Sequence, residues 1–294
     1  GDLYGRNTTA GQINFVSNKP TEEFEAGFSA DYGRFDLLEV EGFVSGGLSE
    51  NMQGRVAFKT SQSLGDGWQK STTRDDTLGE KDATAVRGML NVDFNEDVSL
   101  LLNIHYVQDK SDNKAQTAYN GNIAGLGEFS SPYTPLEDYI IPGGANFGQT
   151  PPWYSTGDNR AADWTNTYTS PQTGTTFDLR PQRDNELIGI TGRLEWQIGD
   201  MTLTSITGYD DFERVEANDW DGGFFNDSSN INTTDLWVFS QELRLAGGNE
   251  ELNWIAGLYY SKDEMDEYYH YFMSDSVFGL GSIPFGVGLF APTP

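Results

Sequence analysis

The chain has 294 residues, no cysteine and a formal net charge of −27 from 18 basic and 45 acidic side chains. The missing thiols exclude a disulfide framework and thiolate metal or redox sites, and the acidity argues against nucleic acid as a partner, because phosphate binding needs a basic footprint. Mean hydropathy is −0.54 and no run of about 18 apolar residues exists, so no transmembrane helix is predicted, although membrane β-strands escape that test because they alternate apolar and polar residues.

The first stretch, Gly1 to Pro20, reads GDLYGRNTTAGQINFVSNKP. It mixes turn-forming Gly5, Asn7 and Gly11 with a short apolar run, Ile13 to Val16. Beyond it the period becomes two, the mark of strands whose faces meet different environments. Strand one is predicted over Glu23 to Tyr32, with Phe24, Ala26, Phe28, Ala30 and Tyr32 on one face. Strand two covers Leu37 to Gly47, strand three Met52 to Ser63, strand four Ala83 to Phe94 and strand five Val98 to Gln108. In strand five Val98, Leu100, Leu102, Ile104 and Tyr106 oppose Ser99, Asn103 and His105. Strand six covers Asn185 to Ile198, strand seven Met201 to Glu213, strand eight Leu236 to Leu245 and strand nine Leu252 to Ser261.

The links between these strands are sorted by length. Leu48–Asn51, Asn95–Asp97, Gly199–Asp200 and Gly247–Glu251 are tight turns rich in Gly, Asn and Asp. Between them fall Leu64 to Asp82, Asp109 to Asp184, Arg214 to Asp235 and the stretch from Lys262 onward; Gly33 to Asp36 is the short exception. Outer-membrane barrels have short periplasmic turns and longer outside loops. A soluble sandwich has no reason to sort its loops this way. Phe24, Tyr32, Phe94, Tyr106, Trp196, Tyr209, Trp254 and Tyr260, near strand ends, fit interface girdles.

The opening stretch also carries a family resemblance. Leu3-Tyr4-Gly5-Arg6-Asn7-Thr8-Thr9, then Ala10-Gly11, Ile13-Asn14, the apolar pair Phe15-Val16 and the close at Lys19-Pro20 resemble the end of the plug domain of TonB-dependent receptors of the Gram-negative outer membrane. Ala10-Gly11 stands where that family usually has Gly-Gly, and Gln12 where a small residue is usual. Ser205 to Tyr209, Ser240 to Leu245 and strand nine resemble recurrent barrel strands of the same family. The resemblance implies an all-β chain: residues 1–20 end a plug, with Tyr4, Gly5, Arg6, Gly11 and Asn14 as its motif, and 21–294 begin a transmembrane antiparallel β-barrel. With no start methionine and a plug ending as the first feature, the chain is expected to be a fragment; nine strands of about 22 leave roughly 13 beyond Pro294. The implied function is binding of a scarce ligand outside, a ferric siderophore first, then import when TonB pulls the plug through residues upstream of Gly1. Oligosaccharide or cobalamin are the family's other cargoes. Outer-membrane lipid and lipopolysaccharide are implied partners; no cofactor is implied.

Candidate chemistry concentrates in the longest link. It holds seven of the 11 prolines and many aromatics. Loops of this length are functional or disordered as a rule, and aromatics favour order because they can pack. Two readings stand: a lid stacking Tyr133, Tyr139, Trp153, Tyr154 and Trp164 on a ligand with Arg160 as an anion contact, or a self-packed loop shielding the barrel mouth. Asp219, Asp221, Asn226 and Asp227 beside Gly222-Gly223 offer oxygen ligands for a hard cation, but their spacing is not that of an EF-hand, and no metal site is assigned. His105 falls on the polar face of strand five as a solvated or hydrogen-bonded residue. Arg6 is a conceivable partner for the inward carboxylates Glu195 or Glu242. No Ser-His-Asp set, Walker loop or GxSxG is present, so no enzyme is predicted. Two rival classes predict otherwise: a diffusion porin would lack the plug-like opening, and a secreted carbohydrate-binding β protein would lack sorted loops.

Overall fold

The computed structural model describes residues 16–71, 74–117, 158, 160–170, 173–220, 229–249 and 251–272, with the backbone of 121–123 and 127–129. Nine long strands form one antiparallel sheet. They are β1 (Glu25–Tyr32), β2 (Leu37–Ser49), β3 (Met52–Ser63), β4 (Asp82–Asp93), β5 (Val98–Asp109), β6 (Gln182–Ile198), β7 (Met201–Asp219), β8 (Ser229–Gly248) and β9 (Asn253–Phe272). Each pairs with its neighbours in sequence, giving an up-and-down meander; among the described residues β1 and β9 pair on one side only. The nine predicted strands all exist.

Register carries one apolar face from β1 to β8, where it meets Lys262 of β9. Ala26, Val44, Val56, Gly88, Ile104, Ile190, Tyr209 and Phe239 stand in one row, each opposite the next. The single irregularity in the long pairings is a shift between Gly47 and Ser49 at the β2–β3 turn. Because side chains alternate with period two, this register puts every apolar stripe on the same side. That side is not covered by protein: Phe28 is 73 % exposed, Ile104 51 % and Leu258 76 %. The fully buried apolar residues lie elsewhere, at Leu78, Ala115, Ala162, Trp164, Leu179 and Ala217, all in links or at a strand end. A continuous apolar face of this size on a water-soluble protein would aggregate; in a bilayer it is the surface hydrocarbon requires. No helix among the described residues is long and apolar enough to cross a membrane, which says nothing of crossing by strands.

The aromatic residues named above all fall on this outward face by register, with Phe24, Phe94, Trp196 and Trp254 at the tight-turn end. Toward the other end stand Tyr32, Tyr106 and Tyr209, the last stacked on Trp237 at 6.5 Å between ring centres. From Val98 to Tyr106 the strand climbs about 27 Å, or about 21 Å along the normal at a tilt near 40°, close to the apolar band of about 25 Å expected for a membrane barrel.

Three strands run at least six residues further than predicted. β7 continues from Glu213 to Asp219, β8 begins at Ser229 rather than Leu236, and β9 ends at Phe272 rather than Ser261. Beyond Tyr209 the outward positions mix the acidic Asp211, Glu213, Asp235, Glu264 and Asp266 with Trp237, Val215 and Ile231, so clean alternation is lost from the sequence while ladder pairing continues. The long link after β5 is likewise not structureless. Ala161–Ala162 pairs in parallel with Lys70–Ser71, Gln69–Ser71 pairs with Thr77–Leu78, and Thr167–Thr169 forms a hairpin with Thr176–Asp178.

Candidate functional site

The face opposite the apolar one is lined by charge. Lys59 meets Glu41 across β2 and β3 at 3.4 Å, Arg244 meets Glu242 at 3.0 Å and Arg193 meets Glu195 at 2.5 Å. Arg214 meets Glu267 at 2.9 Å and donates to the Thr234 hydroxyl at 2.7 Å. Arg55 lies over the Phe43 ring at 3.9 Å, which accounts for an aromatic residue on the polar side of β2. Half-exposed pairs such as these each contribute about 0–1 kcal/mol, so they shape a hydrated surface more than they stabilise it. Glu195 and Glu242, the expected partners of Arg6, already have wall arginines; Arg6 itself lies outside the described residues.

His105 sits on this face, mostly buried, with Nε2 3.2 Å from Asp210 Oδ1. The contact spans two strand spacings, from β5 to β7, and crosses Gly189 of β6. A Cβ at position 189 would lie 2.1 Å from that carboxylate oxygen and 2.4 Å from His105 Cε1, so only glycine admits the bridge. The segment before β1 reaches the same face. The Arg87 guanidinium donates to the Ser17 hydroxyl, and Val16, Ser17 and Asn18 close a cavity of about 360 Å³ against Arg55, Ala57, Arg87 and Met89. The plug-motif residues Tyr4, Gly5, Arg6, Gly11 and Asn14 lie outside the described residues.

At the outer end the links knit into a small domain. Leu78, Ala115, Ala162 and Trp164 form its core. The Gln69 amide copies a strand ladder, donating to the Ala115 carbonyl at 2.8 Å and accepting from the Ala115 N–H at 3.0 Å. The Arg74 guanidinium lies 5.2 Å from the Trp164 ring centre. Arg180 pairs with Asp112 and donates to the Thr77 carbonyl at 3.0 Å. Burial opposes its charge, but the Asp112 carboxylate, aided by Asp76 and Glu80, outweighs that and holds the guanidinium pKa above its ordinary value. The assembly is bolted to β7: the Thr165 N–H donates to Asp219 at 3.0 Å, and the Asn113 amide to the Ala217 carbonyl at 3.0 Å. The 167–178 hairpin reaches β9, where Tyr168 and Phe177 pack on Phe272 at 5.4 and 5.1 Å. Phe272 shares its face of β9 with Leu258 and Tyr260, so the hairpin lies on the outside of the wall.

These contacts revise the expected site. Trp164 is fully buried, hence a core anchor and not a stacking surface. Arg160 is half-exposed but engaged: its N–H donates to Asp158 at 2.9 Å and its guanidinium reaches the same carboxylate at 3.4 Å. The Arg160 N–H, more than the guanidinium, holds the Asp158 carboxyl below its usual range. Tyr133, Tyr139, Trp153 and Tyr154 lie outside the described residues, as do Asp221, Asn226 and Asp227. Asp219 braces the loop, and among the described residues no group of three or more His, Cys, Asp or Glu could hold a metal ion. Sequence reading missed Gln69, Asn113, Asp112 and Arg180; their only signal was polarity inside links, which every loop shares.

No family model matches the sequence, and no curated protein matches it. Solved structures do. The ferric yersiniabactin uptake receptor FyuA from Yersinia pestis aligns over 93 % of this chain with a TM-score of 0.60 at 14 % identity. The siderophore receptor PiuA from Acinetobacter baumannii aligns over 85 % with a TM-score of 0.57 at 13 % identity. FpvA of P. aeruginosa, solved with heterologous pyoverdines, aligns over 86 % with a TM-score of 0.54 at 13 % identity. The chain spans about a third of their lengths: 36 %, 32 % and 29 % respectively. At such identities the likeness establishes architecture: this chain has the fold of the β-barrel of TonB-dependent siderophore receptors, of which its nine strands form one sector.

Proposed function

We propose that the protein is a TonB-dependent receptor of the Gram-negative outer membrane that imports a ferric siderophore. Residues 1–20 end its plug and 21–294 begin its barrel. The observation that carries this reading is the alignment of the whole nine-stranded wall with an uptake receptor of that kind. The plug-like opening stretch supports it, as does Ser17 meeting the charged face at Arg87, where a plug would leave the lumen. TonB would engage residues upstream of Gly1 and move the plug. The acidic belt above the aromatic row suits cation-bridged contact with lipopolysaccharide. Tyr133, Tyr139, Trp153 and Tyr154 are the proposed ligand contacts, joined by Arg160 if ligand displaces Asp158, while Trp164 anchors the loop core.

The test is the abundance of the full-length protein in outer membranes from iron-starved and iron-replete cells, with growth of a deletion strain on single ferric siderophores as iron source. Strong induction and loss of growth on one chelate are expected. No response to iron, with growth altered on an oligosaccharide or without cobalamin synthesis, would replace the cargo. Recovery of the protein in the soluble fraction would overturn the barrel itself.

A further inference from the structure

We propose that the outward face carries a specific site for one acyl chain of an ammonium-headed phospholipid, in a groove across β2 to β5. The inference rests on the outward face being the lipid face. The groove has a volume of about 540 Å³. Its floor is Gly46, Gly54 and Gly88, and its sides include Leu48, Val56 and Ile104. Register sets it: Gly46 stands opposite Gly54, and Gly88 lies one row further along between Val56 and Ile104, so the three glycines form a diagonal, with Leu48 against Gly54 and Phe24 against Gly46. At Gly88 an added Cβ would meet nothing within 4 Å, so the trough is open there. From β2 to β5 it spans about 14 Å at the usual strand spacing. Its glycine floor crosses from one hydrogen-bonded row to the next, so the trough runs oblique to the normal, a line a hydrocarbon chain can follow from the rim inward.

Charge selects the head. The groove opens at Leu48, beside the β2–β3 turn that carries Glu50, and the Gly47 N–H at its mouth donates to the Glu22 carbonyl at 2.9 Å. The two turns nearest the groove carry Glu50, Glu96 and Asp97 and no Lys or Arg, while Arg55, which also borders the groove, is held over the Phe43 ring on the opposite face. An anionic head placed at this rim is repelled; an ammonium is attracted.

The test uses full-length protein extracted in mild detergent and exposed to micelles containing phosphatidylethanolamine or phosphatidylglycerol with identical chains, read by native mass spectrometry. One phosphatidylethanolamine should be retained, and phosphatidylglycerol retained roughly fivefold less, the worth of about one charge at a lipid surface. Gly88→Leu fills the trough without a clash and should abolish retention, whereas Gly192→Leu, on the same face one strand beyond, should leave it unchanged. Equal retention by Gly88→Leu and the native protein, or equal retention of the two lipids, overturns the site. Unboiled electrophoresis checks the folded barrel separately: a folded barrel that retains no lipid sinks this inference alone, and absence of a folded barrel sinks the functional reading with it.

Discussion

At Gly189 the difference between hydrogen and methyl decides a contact between two other strands. His105 and Asp210 stand either side of it and reach each other only because nothing rises between them. Gly189→Ala should therefore break the bridge, costing about 1–2 kcal/mol as a charged hydrogen bond is lost. The check is unfolding in detergent against Gly192→Ala, where the nearest atom stands 3.5 Å from the added Cβ and little change is expected. The position of His105 on the polar face was readable from period-two alternation. Its partner was not, because Asp210 lies 105 residues further on, and only pairing of β5, β6 and β7 sets the two in one row.

At the scale of elements, alternate residues of one strand face different solvents. Leu101 and Leu102 are neighbours in β5 and alike in chemistry; register puts Leu102 in the row of Leu90 and Gly192, on the apolar face, and Leu101 on the charged one. Leu102→Arg should cost about 2–4 kcal/mol, the range for a cation facing lipid near mid-membrane, while Leu101→Arg should fall within about 1 kcal/mol. Unfolding and refolding into vesicles measures both, and similar costs for the two would reject the membrane assignment of the faces. Strand existence was legible wherever a strand has one apolar and one polar face. The outer halves of β7, β8 and β9 were not, because acidic residues interrupt the apolar positions there and break the alternation that sequence reading depends on.

The described residues divide into a wall without a protein core and an outer cap that has one. Trp164→Ala should loosen the cap by about 3–5 kcal/mol, the cost of removing a buried tryptophan. Hydrogen exchange should then rise in 74–81 and 111–117 and stay unchanged in β1 to β3. A loss of siderophore affinity with the cap still protected would instead restore Trp164 as a ligand contact. Cap protection should also be flat between neutral and mildly alkaline pH as far as Arg180 is concerned. Its folded pKa is raised, so its contribution is complete below the ordinary arginine value and fades only as pH climbs through the still higher folded one.

The sequence by itself determined the strands, their order, the sorting of tight and long links and the apolar side of each strand, because these follow from period-two alternation and from Gly, Asn and Asp at turns, all local properties. Tertiary structure alone decided what depends on residues far apart in the chain. It buried Trp164 among Leu78, Ala115 and Ala162, committed Asp219 to Thr165, closed the His105–Asp210 bridge over Gly189, and aligned Gly46, Gly54 and Gly88 into one trough. Each of these is a coincidence of register or of loop path, and neither is encoded in any short stretch of residues.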